Sequence, residues 1–200
     1  MTNDKTKVTT QKAPLESLLT YLRTQKIKPY VTGKNILDFG CGQHCSTLTT
    51  LEPLVQKRVG MDIFYRGQGI LEEGDDFYIV VCFETLRSLL ANKNFQVDCI
   101  TALASFEHLE IEELTYVLQE LKSTTIAKQI VGTVPTPLAK PILEFLSYKL
   151  RLIDPSQIRD HKVYYSHAHL QQVAQAGGWS LVEYQTFQFG LNSFFLLSRD

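Results

Sequence analysis

Short apolar stretches alternate with stretches of helical spacing along most of this 200-residue chain. Because such alternation is typical of strands joined by crossover helices, it predicts a largely parallel sheet with helices on its faces. We predict seven strands, over residues 35–39, 58–63, 77–82, 97–103, 129–134, 180–187 and 193–198. Only a short turn at 190–192 separates the last two, so they are expected to pair as an antiparallel hairpin. The predicted fold class is therefore α/β, a doubly wound seven-stranded and mainly parallel sheet with a terminal antiparallel hairpin.

Helices are expected to fill the gaps between these strands. The first should begin at Pro14 and end before Pro29, because leucines recur between these prolines at spacings of three and four. Five more helices are predicted over residues 45–55, 84–91, 111–121, 140–152 and 167–176. The polar residues 1–13 are expected to form a flexible tail, and residues 14–200 a single domain.

The charge balance and the cysteine pattern exclude several classes of protein. Twenty Lys and Arg residues against 21 Asp and Glu residues give a formal net charge of -1, so no general basic field favours nucleic acid as a partner. No apolar stretch approaches the roughly 18 residues of a membrane span, and the polar N-terminus lacks a signal-peptide pattern. The four cysteines show no CxxC pair, which argues against structural zinc and favours buried, reduced thiols in the cytoplasm.

The segment from Asn35 to His44 carries the most specific local pattern, a short strand that leads into a loop with two glycines. Gly40 and Gly42 allow positive φ angles and a close approach of a ligand to the backbone. The loop then opens a helix, whose first N–H groups can hold polar or anionic atoms. The same pattern is also found in ordinary turns between a strand and a helix.

An acidic residue at the end of the next strand strengthens the interpretation as a binding loop. Asp62 follows Asp38 by 24 residues and ends the second predicted strand. A carboxylate there can accept hydrogen bonds from both hydroxyls of a ribose, and it would face the same crevice as the glycine loop. The alternative is that Asp62 caps a helix.

Four segments resemble class I S-adenosylmethionine-dependent methyltransferases of the seven-strand type. ILDFGCGQH is similar to the first motif of that family and VGMDI to its ribose-binding acid. VDCITALASFEHLE resembles the segment around its fourth strand, and HKVYYSHAHLQQVAQAGGW with FQFGLNSFFLL resembles the C-terminal part of small bacterial members. The resemblance implies a Rossmann-like methyltransferase fold with S-adenosylmethionine as the cofactor.

The resemblance also implies roles for individual residues. Asp38 would hold the loop near the methionine amino group, Asp62 would bind the ribose hydroxyls, and Ile63 would pack on the adenine. The other implied contacts are the backbone of Gly40, Cys41 and Gly42, the segment from Ala102 to Ser105 with Ala104 at the methionine end, and Glu84 near the adenine amine. His44 stands where many members have a third glycine, and it would be unfavourable there if that position required a positive φ.

Histidines are the candidates for acid–base chemistry on the methyl acceptor. His161 lies where family members cover the crevice, and we assign it as a base or an acceptor-orienting group; His108, after the fourth strand, is the second catalytic candidate. Each has a structural alternative, namely a bond of His161 to Asp160 or nearby backbone, and a helix-start pattern for the Glu-His pair. His167 and His169 are expected at the surface. No metal site is expected, because no third and fourth ligands can be identified.

The helix predicted at 140–152 carries an apolar stripe flanked by cationic residues. Its members are Ile142, Leu146 and Leu150, and the stripe continues to Ile153. We interpret residues 135–165 as a lid that borders the acceptor pocket. The second interpretation is a peripheral contact with a membrane surface or with a lipid-linked acceptor.

The residues and the resemblance together predict a methyltransferase that acts on a small-molecule or a lipid- or sugar-linked acceptor. One alternative is a non-catalytic protein of the same fold that binds a nucleotide-like ligand. Another is an NAD-dependent enzyme, which would share the glycine loop and the acidic residue but would fit the terminal hairpin less well.

Overall fold

The computed structural model describes residues 14–74, 76–144 and 161–200. Its strands are β1 (Ile36–Phe39), β2 (Arg58–Met61), β3 (Leu71–Gly74), β4 (Phe77–Val80), β5 (Cys99–Leu103), β6 (Gln129–Pro135), β7 (Ser180–Phe187) and β8 (Asn192–Ser198). They form one sheet in the order β3-β4-β2-β1-β5-β6-β8-β7. Strand β1 therefore lies near the centre of the sheet, where the chain order reverses.

The pairing of the strands confirms the predicted fold class. β1 runs parallel to β2 and β5, β4 is parallel to β2, and β6 is parallel to β5. β8 is antiparallel to both β6 and β7, so the terminal hairpin is also confirmed. The number of seven strands was wrong by one, because β3 adds an antiparallel edge strand beside β4. β3 escapes prediction because it has the sequence LEEG and is mostly exposed, so it lacks the apolar alternation of a half-buried strand.

The helices are α1 (Pro14–Val31), α2 (Ser46–Leu51), α3 (Phe83–Lys93), α4 (Ile111–Thr124), α5 (Ala139–Glu144) and α6 (His167–Ala176). α2 is shorter than predicted, since the chain continues as a 3-10 turn over Glu52–Leu54. Residues 145–152 of the predicted fifth helix lie outside the described residues, as do the N-terminal residues 1–13.

Helix α1 corrects one prediction, because it does not end before Pro29 but continues to Val31. Proline removes one backbone hydrogen bond from a helix. The complete burial of Ile27 and Val31 offsets that loss. Leu18 and Leu22, which suggested the buried face, are instead 51% and 37% exposed.

The core forms on both faces of the sheet, because neighbouring residues of a strand point to opposite sides. On β1, Ile36 belongs to one apolar cluster and Leu37 to the other. The Ile36 cluster includes residues of α1 and α2, and the Leu37 cluster includes residues of α3, α4 and α6. Because helices cover both faces of the sheet, a ligand can reach it at the ends of the strands.

The carboxyl ends of the parallel strands meet at one edge of the sheet, which we call the carboxyl edge. β8 begins at Asn192 opposite Pro135 of β6, so the turn between β7 and β8 lies at this edge as well. Within the described residues, no helix combines the length and the apolar character that crossing a membrane would require.

Candidate functional site

The loop after β1 is fixed between the ends of two neighbouring strands. The Gly40 N–H donates a hydrogen bond to the Met61 carbonyl at the end of β2, over 2.8 Å. Gly40 has φ +75°, and a Cβ built on it would lie 2.5 Å from the Cβ of Ser105, which follows β5. Only glycine satisfies both the backbone conformation and the contact distance.

Gly42 has a different environment from Gly40. Its φ is +66°, but a Cβ built there would have no atom within 4 Å. The backbone at Gly42 therefore faces open space, as the predicted close approach of a ligand requires.

Asp62 joins the glycine loop to the end of β2. Its Oδ2 accepts a hydrogen bond from the Gly42 N–H over 2.8 Å, and its Oδ1 accepts one from the Phe64 N–H over 2.9 Å. The second bond caps a 3-10 turn over Ile63–Tyr65. The alternative that Asp62 is a helix cap is therefore confirmed for this short turn. Each carboxylate oxygen can accept more than one hydrogen bond, so ribose hydroxyls could still bind here.

Two apolar side chains beside Asp62 are exposed. Ile63 is 72% exposed and Phe64 is 53% exposed. Apolar surface of this kind next to a carboxylate offers a contact for a planar ring.

Asp38 is a buried acid on β1 that lies close to this loop in sequence. It is 2% exposed, and its Oδ1 accepts a hydrogen bond from the Thr101 hydroxyl over 2.6 Å. Burial raises the pKa of the Asp38 carboxyl to about 7, although the bond from Thr101 acts in the opposite direction. A cation placed against this carboxyl would favour its ionised form.

The loop does not require a glycine at His44. His44 is exposed, and it is not among the residues with positive φ; the left-handed position is Cys45, at φ 45°. Cys41 and Cys45 are both buried, with sulfur atoms 3.6 Å apart. The predicted cost of a histidine in a left-handed conformation therefore does not arise.

The end of β5 contains a strained residue. Ala104 has φ +54°, and its N–H donates to the Thr133 carbonyl over 2.9 Å. A side chain in the left-handed region costs about 1–2 kcal/mol, and such strain is typical of functional sites. Ser105, the next residue, has a buried hydroxyl oxygen with no hydrogen-bond partner.

Glu84 lies in the first turn of α3, after β4, and is exposed. Its pKa is lowered by a hydrogen bond with the Cys82 side chain. β4 is the neighbour of β2, so Glu84 follows the strand beside the one that leads to Asp62.

The two catalytic candidates, His108 and His161, lie in contact although 52 residues separate them in sequence. Their ring centroids are 5.1 Å apart. His161 Nε2 lies 3.9 Å from Glu107 Oε1, and His161 Nδ1 lies 3.2 Å from the Tyr164 hydroxyl. Asp160, the other partner considered for His161, lies outside the described residues.

Glu107 is a residue of this cluster that the sequence analysis missed. It is 1% exposed, and its Oε2 has no hydrogen-bond partner. Burial raises the pKa of its carboxyl, while the charge of His108, a backbone hydrogen bond and the charge of Arg23 lower it. The only sequence feature that pointed to Glu107 was its position next to His108. That position did not show that His161 would lie close to the Glu107 carboxylate.

Backbone hydrogen bonds hold the segment that begins at His161 against the end of β5. The N–H groups of Lys162 and Val163 donate to the Glu107 carbonyl over 2.8 and 3.2 Å. Tyr165 is fully buried, and its hydroxyl donates to the Leu109 carbonyl over 3.0 Å. These bonds fix the position of the His161 backbone relative to Glu107.

The remaining two histidines of the C-terminal part lie at the surface, as predicted. His167 and His169 are exposed in the first turn of α6. The His169 N–H donates to the Ser166 side chain, which caps the helix.

Comparison with known proteins gives structural similarity without sequence similarity. No protein-family model matches the sequence, and no curated protein matches it either. A SAM-dependent methyltransferase from Archaeoglobus fulgidus aligns over 92% of this chain and 94% of its own, with a TM-score of 0.60 and 17% identity.

Two further solved structures are similar over most of this chain. Magnesium protoporphyrin IX methyltransferase (ChlM) from Synechocystis PCC 6803, with bound SAH, aligns over 93% of this chain and 82% of its own, at 15% identity and a TM-score of 0.54. CalO1, a methyltransferase in calicheamicin biosynthesis, aligns over 93% of this chain and 55% of its own, at 13% identity and a TM-score of 0.63. The chain therefore has the Rossmann-like fold of the S-adenosylmethionine-dependent methyltransferases.

Proposed function

We propose that this protein is an S-adenosylmethionine-dependent methyltransferase. The observation that carries the proposal is the hydrogen bond from the Gly42 N–H to Asp62, over 2.8 Å. It joins a ligand-accessible glycine loop to an acid at the end of the neighbouring strand, in a fold whose ligands bind at the carboxyl edge. The bound SAH in the structurally similar ChlM supports the same choice of cofactor.

The residues around the glycine loop fit this cofactor. The buried Asp38 would hold the methionine ammonium, the backbone of Gly40, Cys41 and Gly42 would border the ligand, and Asp62 would accept the ribose hydroxyls. Ile63 would cover the adenine, Glu84 would approach its amine, and Ala104 would line the methionine end. When bound, the sulfonium supplies the electrophilic methyl group, so the protein's own task is to orient the acceptor and exclude water.

His161 and His108 are the residues we propose to act on the acceptor. An acceptor hydroxyl or other protonated group needs a base, and imidazole is the usual one near neutral pH. The contact of the His161 Nδ1 with the Tyr164 hydroxyl, 3.2 Å away, orients the ring. His108 follows β5 in the chain, and His161 contacts His108. Ala104, which we propose for the methionine end, also follows β5.

The acceptor we propose is a small molecule, or a lipid- or sugar-linked intermediate. Exposed apolar side chains at the carboxyl edge support an acceptor with an apolar part. Leu138 is 60% exposed, Ile142 is 39% exposed and Phe189, in the turn between β7 and β8, is fully exposed. Residues 135–165 would cover this acceptor, and contact with a membrane surface is the other use of the same apolar groups.

The state of the cysteines bears on the cellular compartment in which the protein works. All four cysteines are free thiols, and the Cys41 and Cys45 sulfurs lie 3.6 Å apart without a bond between them. Because such thiols stay reduced in the cytosol, we propose a cytoplasmic enzyme.

Calorimetric titration of the full chain with S-adenosylmethionine, S-adenosylhomocysteine and NAD tests the cofactor. We expect the first two to bind and Asp62→Ala to weaken both by ten-fold or more, which corresponds to roughly 1.4 kcal/mol. Glu52→Ala is the matched control, because Glu52 is an exposed acid before β2, at the opposite edge of the sheet. The absence of binding at millimolar concentration, or preference for NAD, would overturn the proposal.

A further inference from the structure

Among the described residues, Glu107, His108 and His161 form a group whose potential ligand atoms all lie within 4.8 Å of one another. The group joins a 3-10 turn over Phe106–His108, directly after β5, to the segment that precedes α6. The sequence predicts no metal site, because its spacing does not show which ligands the fold brings together.

The carboxylate of Glu107 gives an independent reason to expect a cation at this group. The residue is 1% exposed, and its Oε2 has no hydrogen-bond partner. Its Oε1 lies 3.9 Å from the His161 Nε2, which is too far for a hydrogen bond. A buried carboxylate oxygen without a hydrogen bond is costly, and a cation bound at Oε2 would compensate that cost.

The distances are close to those between two ligands of one ion. Zinc lies about 2.0–2.2 Å from histidine nitrogens and carboxylate oxygens, so tetrahedral ligand atoms are about 3.4 Å apart. The observed 3.9 Å between Glu107 and His161 requires an approach of roughly half an ångström. Other pairs in the group lie up to 4.8 Å apart and require an approach of up to about 1.4 Å, which side-chain rotations can supply.

The surroundings of His161 also fit a ligand. The Nδ1 of a metal-bound histidine commonly meets a hydrogen-bonding group that fixes the ring while the Nε2 faces the ion. Here the Tyr164 hydroxyl lies 3.2 Å from Nδ1, and Nε2 faces Glu107. The hydrogen bonds from the Lys162 and Val163 N–H groups to the Glu107 carbonyl keep His161 close to Glu107. They use only backbone atoms, so the side chains of both residues stay available for the ion.

We propose that Glu107, His108 and His161 bind a divalent transition-metal ion such as Zn²⁺. Two imidazoles and one carboxylate suit zinc and its first-row neighbours better than Mg²⁺ or Ca²⁺, which prefer oxygen ligands alone. Three protein ligands leave one coordination position for water or another small donor, as in catalytic zinc sites. With the ion bound, the two histidines would act on the acceptor as ligands of the metal, and they would serve as bases only in the metal-free protein. None of the three ligands belongs to the glycine loop or is Asp62, so ion binding can be measured without the proposed cofactor.

Metal titration of the full chain, without a polyhistidine tag and after removal of metals with a chelator, tests the site. We expect one Zn²⁺ per chain by calorimetry, and a Co²⁺ absorption spectrum typical of nitrogen and oxygen ligands. His161→Ala and Glu107→Gln should each weaken binding by ten-fold or more. His169→Ala is the matched control, because His169 is exposed in α6, and it should bind as the wild type does.

Three results would overturn the inference. These are no Zn²⁺ or Co²⁺ bound by the wild type, unchanged affinity in Glu107→Gln, or a thiolate charge-transfer band that places the ion on cysteines. Glu107→Gln preserves the size of the side chain and removes only its charge. It therefore still tests metal binding if His161→Ala does not fold. Titration of the same samples with S-adenosylhomocysteine separates the two proposals, since either ligand can bind when the other does not.

Discussion

The Gly42 backbone N–H and the Asp62 carboxylate are hydrogen-bonded over 2.8 Å, while the other oxygen of Asp62 caps the turn that begins at Ile63. One side chain thus orders two segments that border the proposed cofactor site. Substitution at Asp62 is therefore expected to affect stability as well as binding.

We expect Asp62→Ala to lower the free energy of unfolding by about 1–3 kcal/mol, because two backbone N–H groups lose a charged acceptor. Urea denaturation measures this change. Glu52→Ala should lower it by less than about 1 kcal/mol, because the exposed Glu52 loses only its ion pair with Arg58. An Asp62→Ala protein as stable as the wild type would contradict the role of Asp62 in ordering the loop.

Gly40 and Gly42 are expected to respond differently to the same substitution. Gly42→Ala meets only the backbone cost of a left-handed residue, about 1–2 kcal/mol. Gly40→Ala adds the collision with the Ser105 Cβ, 2.5 Å away, and should cost about 2–5 kcal/mol in total. Urea denaturation of both variants checks the difference.

The double variant Gly40→Ala/Ser105→Gly tests the cause of that difference. It removes the atom that collides with the new methyl group, so it should recover part of the stability lost in Gly40→Ala. Equal losses in Gly40→Ala and Gly42→Ala, or no recovery in the double variant, would be incompatible with a steric contact at this position.

The sequence predicts those parts of the fold that depend on local patterns. The buried central strands are rich in apolar residues, and the loop with Gly40 and Gly42 follows one of them directly. β3 was not predictable in this way, because an exposed edge strand buries too little to leave a pattern. The left-handed backbone at Cys45 rather than at His44 likewise leaves no pattern in the sequence.

The histidine cluster depends on contacts between distant segments. His108 and His161 were identified as separate candidates, each from its own surroundings. The proximity of His161 to Glu107 and His108 follows from the backbone bonds of Lys162 and Val163 to the Glu107 carbonyl, beyond the end of β5. No periodicity or spacing records such a pairing, and this is why the sequence led to an expectation of no metal.

Tyr165 offers a test of how this segment is fixed. We expect Tyr165→Phe to lower the free energy of unfolding by about 0.5–1.5 kcal/mol, because the Leu109 carbonyl loses the hydrogen bond from the buried hydroxyl. Tyr116→Phe is the matched control on α4, since Tyr116 is 59% exposed. Equal stability of the two variants in urea would show that the Tyr165 hydroxyl does not hold the segment.

The buried Asp38 predicts a pH dependence of stability in the ligand-free protein. Burial raises the pKa of its carboxyl from 3.8 to about 7, so between these values the folded chain holds a proton that the unfolded chain has lost. Stability therefore falls as pH rises through this window and levels off above pH 7. Between pH 5 and pH 8, wild type should lose on the order of 2–3 kcal/mol relative to Asp38→Asn. If the free energy of unfolding of the two proteins, measured in urea, changed equally between pH 5 and pH 8, this would contradict the raised pKa.

The same carboxyl predicts how ligand affinity depends on pH. If Asp38 holds the ammonium group of the proposed cofactor, binding requires its ionised form and releases a proton below about pH 7. Affinity for S-adenosylhomocysteine should then rise between pH 6 and pH 8, and the calorimetric enthalpy should vary with the ionisation enthalpy of the buffer. In Asp38→Asn both dependences should disappear and the affinity should be lower throughout. A wild-type affinity that is flat over this range would separate Asp38 from the ammonium group, even where the cofactor itself binds.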